Sequence, residues 1–79
     1  MWEPVARQVL AQSQALTVDR ESGALVADGT EGGILLDMQS ANVVLSVLDA
    51  LSEKNRKKML HLKIDRAVSI AWGCLSPKN

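Results

Sequence analysis

The chain has no phenylalanine and no tyrosine, a single cysteine, and no net charge over its 79 residues. Without those two aromatic residues the core is expected to be aliphatic. RNA-recognition sheets and oligonucleotide-binding barrels, which stack bases on aromatic rings, become poor matches. One cysteine excludes an internal disulfide, and with one histidine it cannot fill a structural zinc site. We therefore expect no metal and no cofactor.

Long apolar runs are also missing. Each uninterrupted run is only a few residues, far short of a membrane span. The first residues lack the basic region and apolar stretch of a secretory signal. With the lone cysteine, these absences predict a protein of the reducing cytoplasm that does not associate with a membrane.

Size and composition predict a single domain, residues 1–79, with an apolar content of 47% that is ordinary for a globular fold. A chain this short buries only roughly 60% of the surface that its unfolded form exposes. Small chains often gain stability by covering one face with a copy of themselves or with a partner. We therefore expect a homodimer or a component of a complex.

The first half of the chain predicts one helix and a small sheet. Pro4 suits a first helical turn, so helix 1 is expected within residues 1–15, at about Pro4–Ala15. Residues 16–18 and 24–26 flank a turn with Gly23 in the left-handed position, which predicts a hairpin. Residues 34–36 form a possible third short strand, completing a sheet in residues 16–36.

Residues 37–75 are expected to be helical, because apolar residues recur there at helical spacing. Asp37 or Ser40 caps helix 2, which ends near Leu51. Ser52 caps helix 3, at 53–60. Helix 4 begins near 63–65 and ends near 73–75, and residues 76–79 form a tail.

The predicted fold class is thus α+β. It combines an N-terminal helix, a small antiparallel sheet (a hairpin plus a third short strand) and a C-terminal helical hairpin of two to three helices. Helices 2 and 4 should pack together and bury four residues almost fully: Leu45, Leu48, Val68 and Ala71.

Charge is unevenly spread along the neutral chain. Residues 1–39 carry two basic and six acidic side chains, a net charge of −4, whereas residues 40–79 carry seven basic and three acidic ones, +4. If the fold keeps the halves apart, the molecule offers one acidic and one basic face.

The basic residues of segment 54–66 are the first candidate for a binding site. They could neutralise the phosphates of DNA, with helices 3 and 4 as a helix-turn-helix. The apolar residues of helix 4 are expected to pack inward, and its remaining residues offer few contacts to base edges. A surface that faces a protein partner is therefore favoured. The residues expected to bind a partner are Lys54, Arg56, Lys57, Lys58, Lys63 and Arg66.

The two tryptophans have different expected places. Trp72, on helix 4, should cover the core, although tryptophan is also a favoured interface anchor. Trp2 precedes helix 1 and has little of its own chain to bury against. We therefore expect Trp2 to be exposed and to join the partner-binding residues.

Catalytic sites are not supported. The glycine-rich segment 28–33 lacks the lysine and serine or threonine of a phosphate-binding loop, and it is expected to be a turn. A nucleophilic pair of His61 and Cys74 would need a third, orienting group. His61 lies among lysines, and Cys74 ends an apolar helix as a small hydrophobe. We predict that the protein is not an enzyme.

Two motifs resemble those of a known group of proteins. Residues 36–59 read LDMQSANVVLSVLDALSEKNRKKM, and residues 62–72 read L-x-I-x-R-x-V-x-I-A-W. This half of the chain resembles small accessory proteins of phages, prophages and other bacterial mobile elements. In them a Gly-rich turn leads into a Leu-Asp step, a helix, a basic connector and a final helix. The resemblance implies a setting in the bacterial cytoplasm, but no activity and no functional residues.

The function predicted is non-enzymatic protein–protein interaction. The resemblance suggests that the partner is a bacterial host protein, such as a defence component, which binding could inhibit. The alternative is a small nucleic-acid-binding transcriptional regulator that uses the basic 54–66 segment.

Overall fold

The computed structural model describes residues 1–75, so the predicted tail, residues 76–79, lies outside the described residues. The elements follow in the order α1 (Glu3–Gln12), β1 (Leu16–Asp19), β2 (Gly33–Leu36), α2 (Met38–Ala50), α3 (Glu53–Leu60) and α4 (Ile64–Leu75). Within these residues, four helices accompany one small antiparallel sheet, which confirms the α+β class.

Local capping explains where the helices begin and end. The Asp37 carboxylate accepts a hydrogen bond of 2.7 Å from the Ser40 N–H, so Asp37 caps α2. The Ser52 Oγ accepts from the Asn55 N–H at 3.4 Å, and α3 has the predicted bounds. Helix α1 is shorter than predicted, because Ser13 adopts the left-handed conformation (φ 51°) and ends it.

Helix α2 lies at the centre of the fold, in contact with α1 and with α4. It therefore buries residues around more than one face: Ala41, Val43, Val44, Leu45, Val47 and Leu48. The predicted pairing of α2 with α4 is confirmed. Leu45, Leu48 and Ala71 are buried, while Val68 is half-buried and packs against the core.

The sheet differs from the prediction in its number of strands. β1 pairs with β2 in antiparallel register, with Leu16 opposite Leu36 and Asp19 opposite Gly33. Residues 24–26 do return along the other side of β1, but they form only an isolated bridge between Leu25 and Val18. Within residues 1–75 the sheet thus has two strands rather than three.

Two turns leave residues 24–26 too little length for a strand. Gly23 takes a left-handed conformation, as predicted, and ends the first turn. The second turn begins directly after Val26, where both the N–H and the hydroxyl of Thr30 donate to the Ala27 carbonyl. Only a few backbone hydrogen bonds to β1 fit between these turns, including the bond from Val26 N–H to the Thr17 carbonyl.

The outer surface of the sheet is tightly packed at Gly33. A β-carbon at this position would lie 2.8 Å from Thr17 Cγ2 and 3.0 Å from the Thr30 carbonyl oxygen. Glycine is needed here because the side chain of Thr17 and the turn before β2 close over its Cα.

Among the described helices, none is long and apolar enough to cross a membrane.

Candidate functional site

Helix α3 presents its lysines on one exposed side. Lys54, Lys57, Lys58 and His61 follow the spacing i, i+3, i+4 and i+7, which places them along one face. We call Lys54, Lys57 and Lys58 the lysine face. All three are exposed, and the opposite side of the helix packs inward through Met59, which is 5% exposed.

The end of α3 adds a histidine to this surface. The His61 N–H closes the helix by donating to the carbonyls of Lys57 and Lys58. Its ring Nδ1 lies 2.7 Å from the Lys57 carbonyl oxygen, so in the neutral ring Nδ1 carries the proton and Nε2 is left as an acceptor. His61 therefore extends the lysine face as a ring fixed against the helix.

The lysine face has little internal charge compensation. Lys57 Nζ lies 3.7 Å from Glu53, but both side chains are more than two-thirds exposed. An exposed ion pair of this kind contributes little to the free energy of folding. Within residues 1–75, neither Lys54 nor Lys58 forms an ion pair. These charges are thus available to an acidic partner.

Arg56 does not belong to this surface, contrary to the sequence-based expectation. Its guanidinium lies 2.9 Å from Glu3 and 3.1 Å from Asp49, on the side of α3 that faces α1 and the end of α2. The helical period explains this position, because Arg56 lies on the same side as Met59 and Leu60 rather than with the lysines.

Arg56 is part of a four-residue ion cluster that joins three helices. Arg7 bonds to the same two carboxylates, at 2.8 Å from Glu3 and 2.8 Å from Asp49. Hydrogen bonds from Arg7 hold the pKa of the Asp49 carboxyl below its ordinary value, and Arg56 adds to this effect. Hydrogen bonds to Asp49 and Glu3 raise the pKa of Arg7. The cluster fixes α3 against α1, with the lysine face outward.

Trp2 is buried, so the expectation that it forms an exposed anchor is wrong. It is 1% exposed, and its ring N–H donates a hydrogen bond of 3.1 Å to the Leu62 carbonyl. This contact attaches the start of the chain to the connector between α3 and α4. Trp72 also differs from its prediction, since 38% of it is exposed.

Lys63 lies beside Trp2 and is paired within the molecule. Its Nζ is 2.9 Å from Glu21, although both side chains remain more than half exposed. Arg20 similarly approaches Asp65 at 3.6 Å. With the Arg56–Glu3 pair, these contacts bring the basic and acidic halves of the chain together. The fold therefore does not keep the two halves of the chain apart.

An open depression adjoins the lysine face where α3 passes into α4. It has a volume of about 680 Å³ and is lined by His61, Leu62, Lys63, Asp65, Arg66 and Ser69. Arg66 is exposed, and its side chain forms no ion pair within residues 1–75. The depression extends the basic surface, but its open form cannot exclude water as an enclosed active site does.

No group of three or more histidine, cysteine or acidic residues within residues 1–75 could hold a metal ion. Cys74 is exposed at the end of α4 rather than packed as a small hydrophobe.

The ion cluster is the feature that sequence reasoning missed. The Glu3–Arg7 pair has the i, i+4 spacing, and Arg56 shares the inward face of α3, so both signals are present in the sequence. The contribution of Asp49 depends on how α2 ends beside α1 and could not be read from spacing.

In comparisons with known proteins, no family model matches this chain, and no curated protein or solved structure matches it significantly. The function is therefore argued from the surface of the chain itself.

Proposed function

We propose that this protein is a non-enzymatic binding protein whose lysine face docks on an acidic surface of a partner protein. The observation that supports the proposal is the division of α3 into two sides. One side packs inward through Met59 and forms the Arg56 ion pairs, and the other side carries the lysine face with little compensating charge. Lys54, Lys57, Lys58 and Arg66 are the contact residues proposed; Lys63 joins them only if it leaves Glu21.

A protein partner fits this surface better than duplex DNA. Carboxylates lie beside several of the cations, with Glu53 next to Lys57, Glu21 next to Lys63 and Asp65 one residue before Arg66. A long polyanion would approach these carboxylates, whereas a protein surface can place its own acidic side chains between them. The outward residues of α4 also include Asp65, Ser69 and Gly73, which offer few contacts to base edges.

The cellular setting is a further part of the proposal, and the resemblance of residues 36–72 to small phage and mobile-element proteins supports it. In that setting the partner is a protein of the bacterial cytoplasm, such as a component of antiviral defence. Binding would act by covering a surface of the partner, because the proposal assigns no chemistry to this chain.

A pair of variants with the same net charge can test the lysine face. Lys54→Gln, Lys57→Gln and Lys58→Gln together change the net charge from 0 to −3. Gln12→Glu, Gln14→Glu and Gln39→Glu together produce the same change at exposed positions elsewhere. Tagged wild-type protein and both variants are used to capture partners from a bacterial lysate, and the captured protein is then purified and titrated.

The proposal expects the lysine-face variant to lose about tenfold or more in affinity for the purified partner, and the glutamine-site variant to keep the wild-type affinity. Equal losses in both variants would show that only net charge matters and would contradict the proposal. Wild-type binding to a short DNA duplex, measured by fluorescence anisotropy, should be negligible at about 0.15 M salt. Tight, salt-sensitive DNA binding would instead favour the regulator.

A further inference from the structure

Strand β2 leaves one edge of the sheet without a neighbour. β1 lies between β2 on one side and the Leu25 bridge on the other, and no further strand lies beside β2 within residues 1–75. The Arg20 N–H donates to the Gly32 carbonyl, which fixes the alternation of the ladder. Leu16, Val18, Ile34 and Leu36 therefore bond across the pair, and the N–H and C=O of Leu35 point away from β1.

The side chain at this edge is unusually exposed. Leu35 is 67% exposed, more than the other large apolar residues of the described chain, and Met38 nearby is 45% exposed. Natural proteins commonly protect an open edge with lysine, proline or a bulge. β2 reads Gly-Ile-Leu-Leu and carries none of these residues, so its edge can accept another strand.

We propose that the β2 edge pairs with β2 of a second copy of this chain, antiparallel about a two-fold axis at Leu35. In this register the two Leu35 residues donate to and accept from each other, which satisfies the outward N–H and C=O of both copies. Asp37 is still extended (φ −85°, ψ 171°), so its N–H can donate to the Gly33 carbonyl of the second copy, while the Gly33 N–H and the Asp37 carbonyl keep their bonds to Thr30 and Ala41. The two sheets then form one continuous sheet.

Self-complementarity selects a second copy as the occupant. A two-fold axis at Leu35 places the two exposed leucine side chains side by side on the same surface of the new sheet. The same axis sets Asp37 opposite Gly33, so no carboxylate faces another across the paired strands. The Asp37 carboxylate is also already occupied by its bond to the Ser40 N–H.

The interface is short, and this sets the expected strength. The pairing covers β2 and its flanks only, well below the area of stable protein–protein interfaces. We therefore expect a dimer with a dissociation constant on the order of micromolar to hundreds of micromolar, rather than an obligate dimer. This dimer uses a different surface from the lysine face, so the two proposals can fail separately.

Sedimentation velocity of the full chain over a wide concentration range tests the pairing. Wild-type protein should shift from the 8.5 kDa monomer toward twice that mass as concentration rises. Leu35→Lys places a charge on the edge and should remain monomeric at concentrations where the wild type is dimeric. Leu25→Lys is the matched control, because Leu25 is 48% exposed and lies on the other side of β1. This variant should dimerise as the wild type does.

Hydrogen exchange at the Leu35 amide gives a second measurement specific to the edge. In concentrated wild-type protein this amide should exchange about tenfold more slowly than in dilute protein, and in Leu35→Lys its exchange should not depend on concentration. A wild type that stays monomeric throughout would overturn the proposal and leave the edge to a strand of another protein. Loss of the dimer in Leu25→Lys as well would place the interface elsewhere and would also overturn it.

Discussion

Single residues at the start of the chain fix more of the fold than their position suggests. Trp2 bonds through its ring to Leu62, and the backbone of residues 1–2 passes directly over Gly23. A β-carbon on Gly23 would lie 2.6 Å from the Trp2 nitrogen and 2.7 Å from the Met1 carbonyl carbon. The close approach at Gly23 therefore helps to hold Trp2 beneath the α3–α4 connector.

Gly23→Ala and Gly29→Ala separate this contact from backbone strain. Both glycines have φ near +80° (78° and 86°), so alanine is strained at either position, by about 1–2 kcal/mol. Nothing lies within 4 Å of a β-carbon at Gly29, whereas Gly23 adds a clash with backbone atoms. We expect Gly23→Ala to lower the free energy of unfolding by about 2 kcal/mol more than Gly29→Ala does, measured by urea denaturation. Equal losses would show that the N-terminal contact contributes nothing.

At the scale of elements, α2 holds the domain together because it packs on α1 and on α4. Leu48 has no exposed surface, so Leu48→Ala should lower the free energy of unfolding by about 2–5 kcal/mol. Ile70→Ala, on α4 at a residue that is 40% exposed, is the control and should cost about 1 kcal/mol or less. Similar losses in the two variants would contradict the central place of α2.

Ion pairs link α3 to α1 and to the end of α2, and their carboxylates make this link sensitive to acid. The pKa of Asp49 is lowered in the folded state by the hydrogen bonds from Arg7, so the folded protein binds fewer protons there than the unfolded chain. The lowered pKa of Asp49 therefore stabilises the folded state above the ordinary carboxyl pKa of about 3.9. This stabilisation is lost as pH falls through the pKa of Asp49 in the folded state.

Urea unfolding between about pH 7 and pH 2 should therefore show a smaller loss of stability in Asp49→Asn than in the wild type. Some loss remains, because hydrogen bonds from Ser22 also lower the pKa of Asp19. Glu53→Gln removes a carboxylate from the weak exposed pair with Lys57 and should follow the wild type. An unchanged pH profile in Asp49→Asn would mean that the cluster does not contribute to stability.

For the whole molecule, the sequence predicted local features better than long-range ones. The cap at Ser52 is local and located the start of α3, and the choice between Asp37 and Ser40 located the start of α2 to within one turn. The burial of Trp2 depends on Leu62, which is 60 positions away, and no periodic pattern contains that information. The pairing of β1 with β2, and the reduction of residues 24–26 to an isolated bridge, likewise depend on the turn at residues 27–30.

The candidate site likewise combines local features that the sequence predicted with long-range contacts that it did not. Helical spacing was sufficient to group Lys54, Lys57 and Lys58 on one side of α3. It was also sufficient to place Arg56 on the inward side, but its partners Glu3 and Asp49 lie on other helices. The charge of each residue was visible in the sequence, whereas its compensation required the tertiary structure.

Mapping the partner contact on the isotope-labelled chain is the decisive test of the lysine face. Amide chemical shifts are followed by NMR while the purified partner is added to the intact protein at about 0.15 M salt. If the lysine face is the contact, the largest shift changes lie in residues 54–61 and extend to Arg66, and the Lys54→Gln, Lys57→Gln, Lys58→Gln variant shows much smaller changes. Largest changes along β2, or at the exposed end of α4 around Trp72, would contradict the assignment of the lysine face.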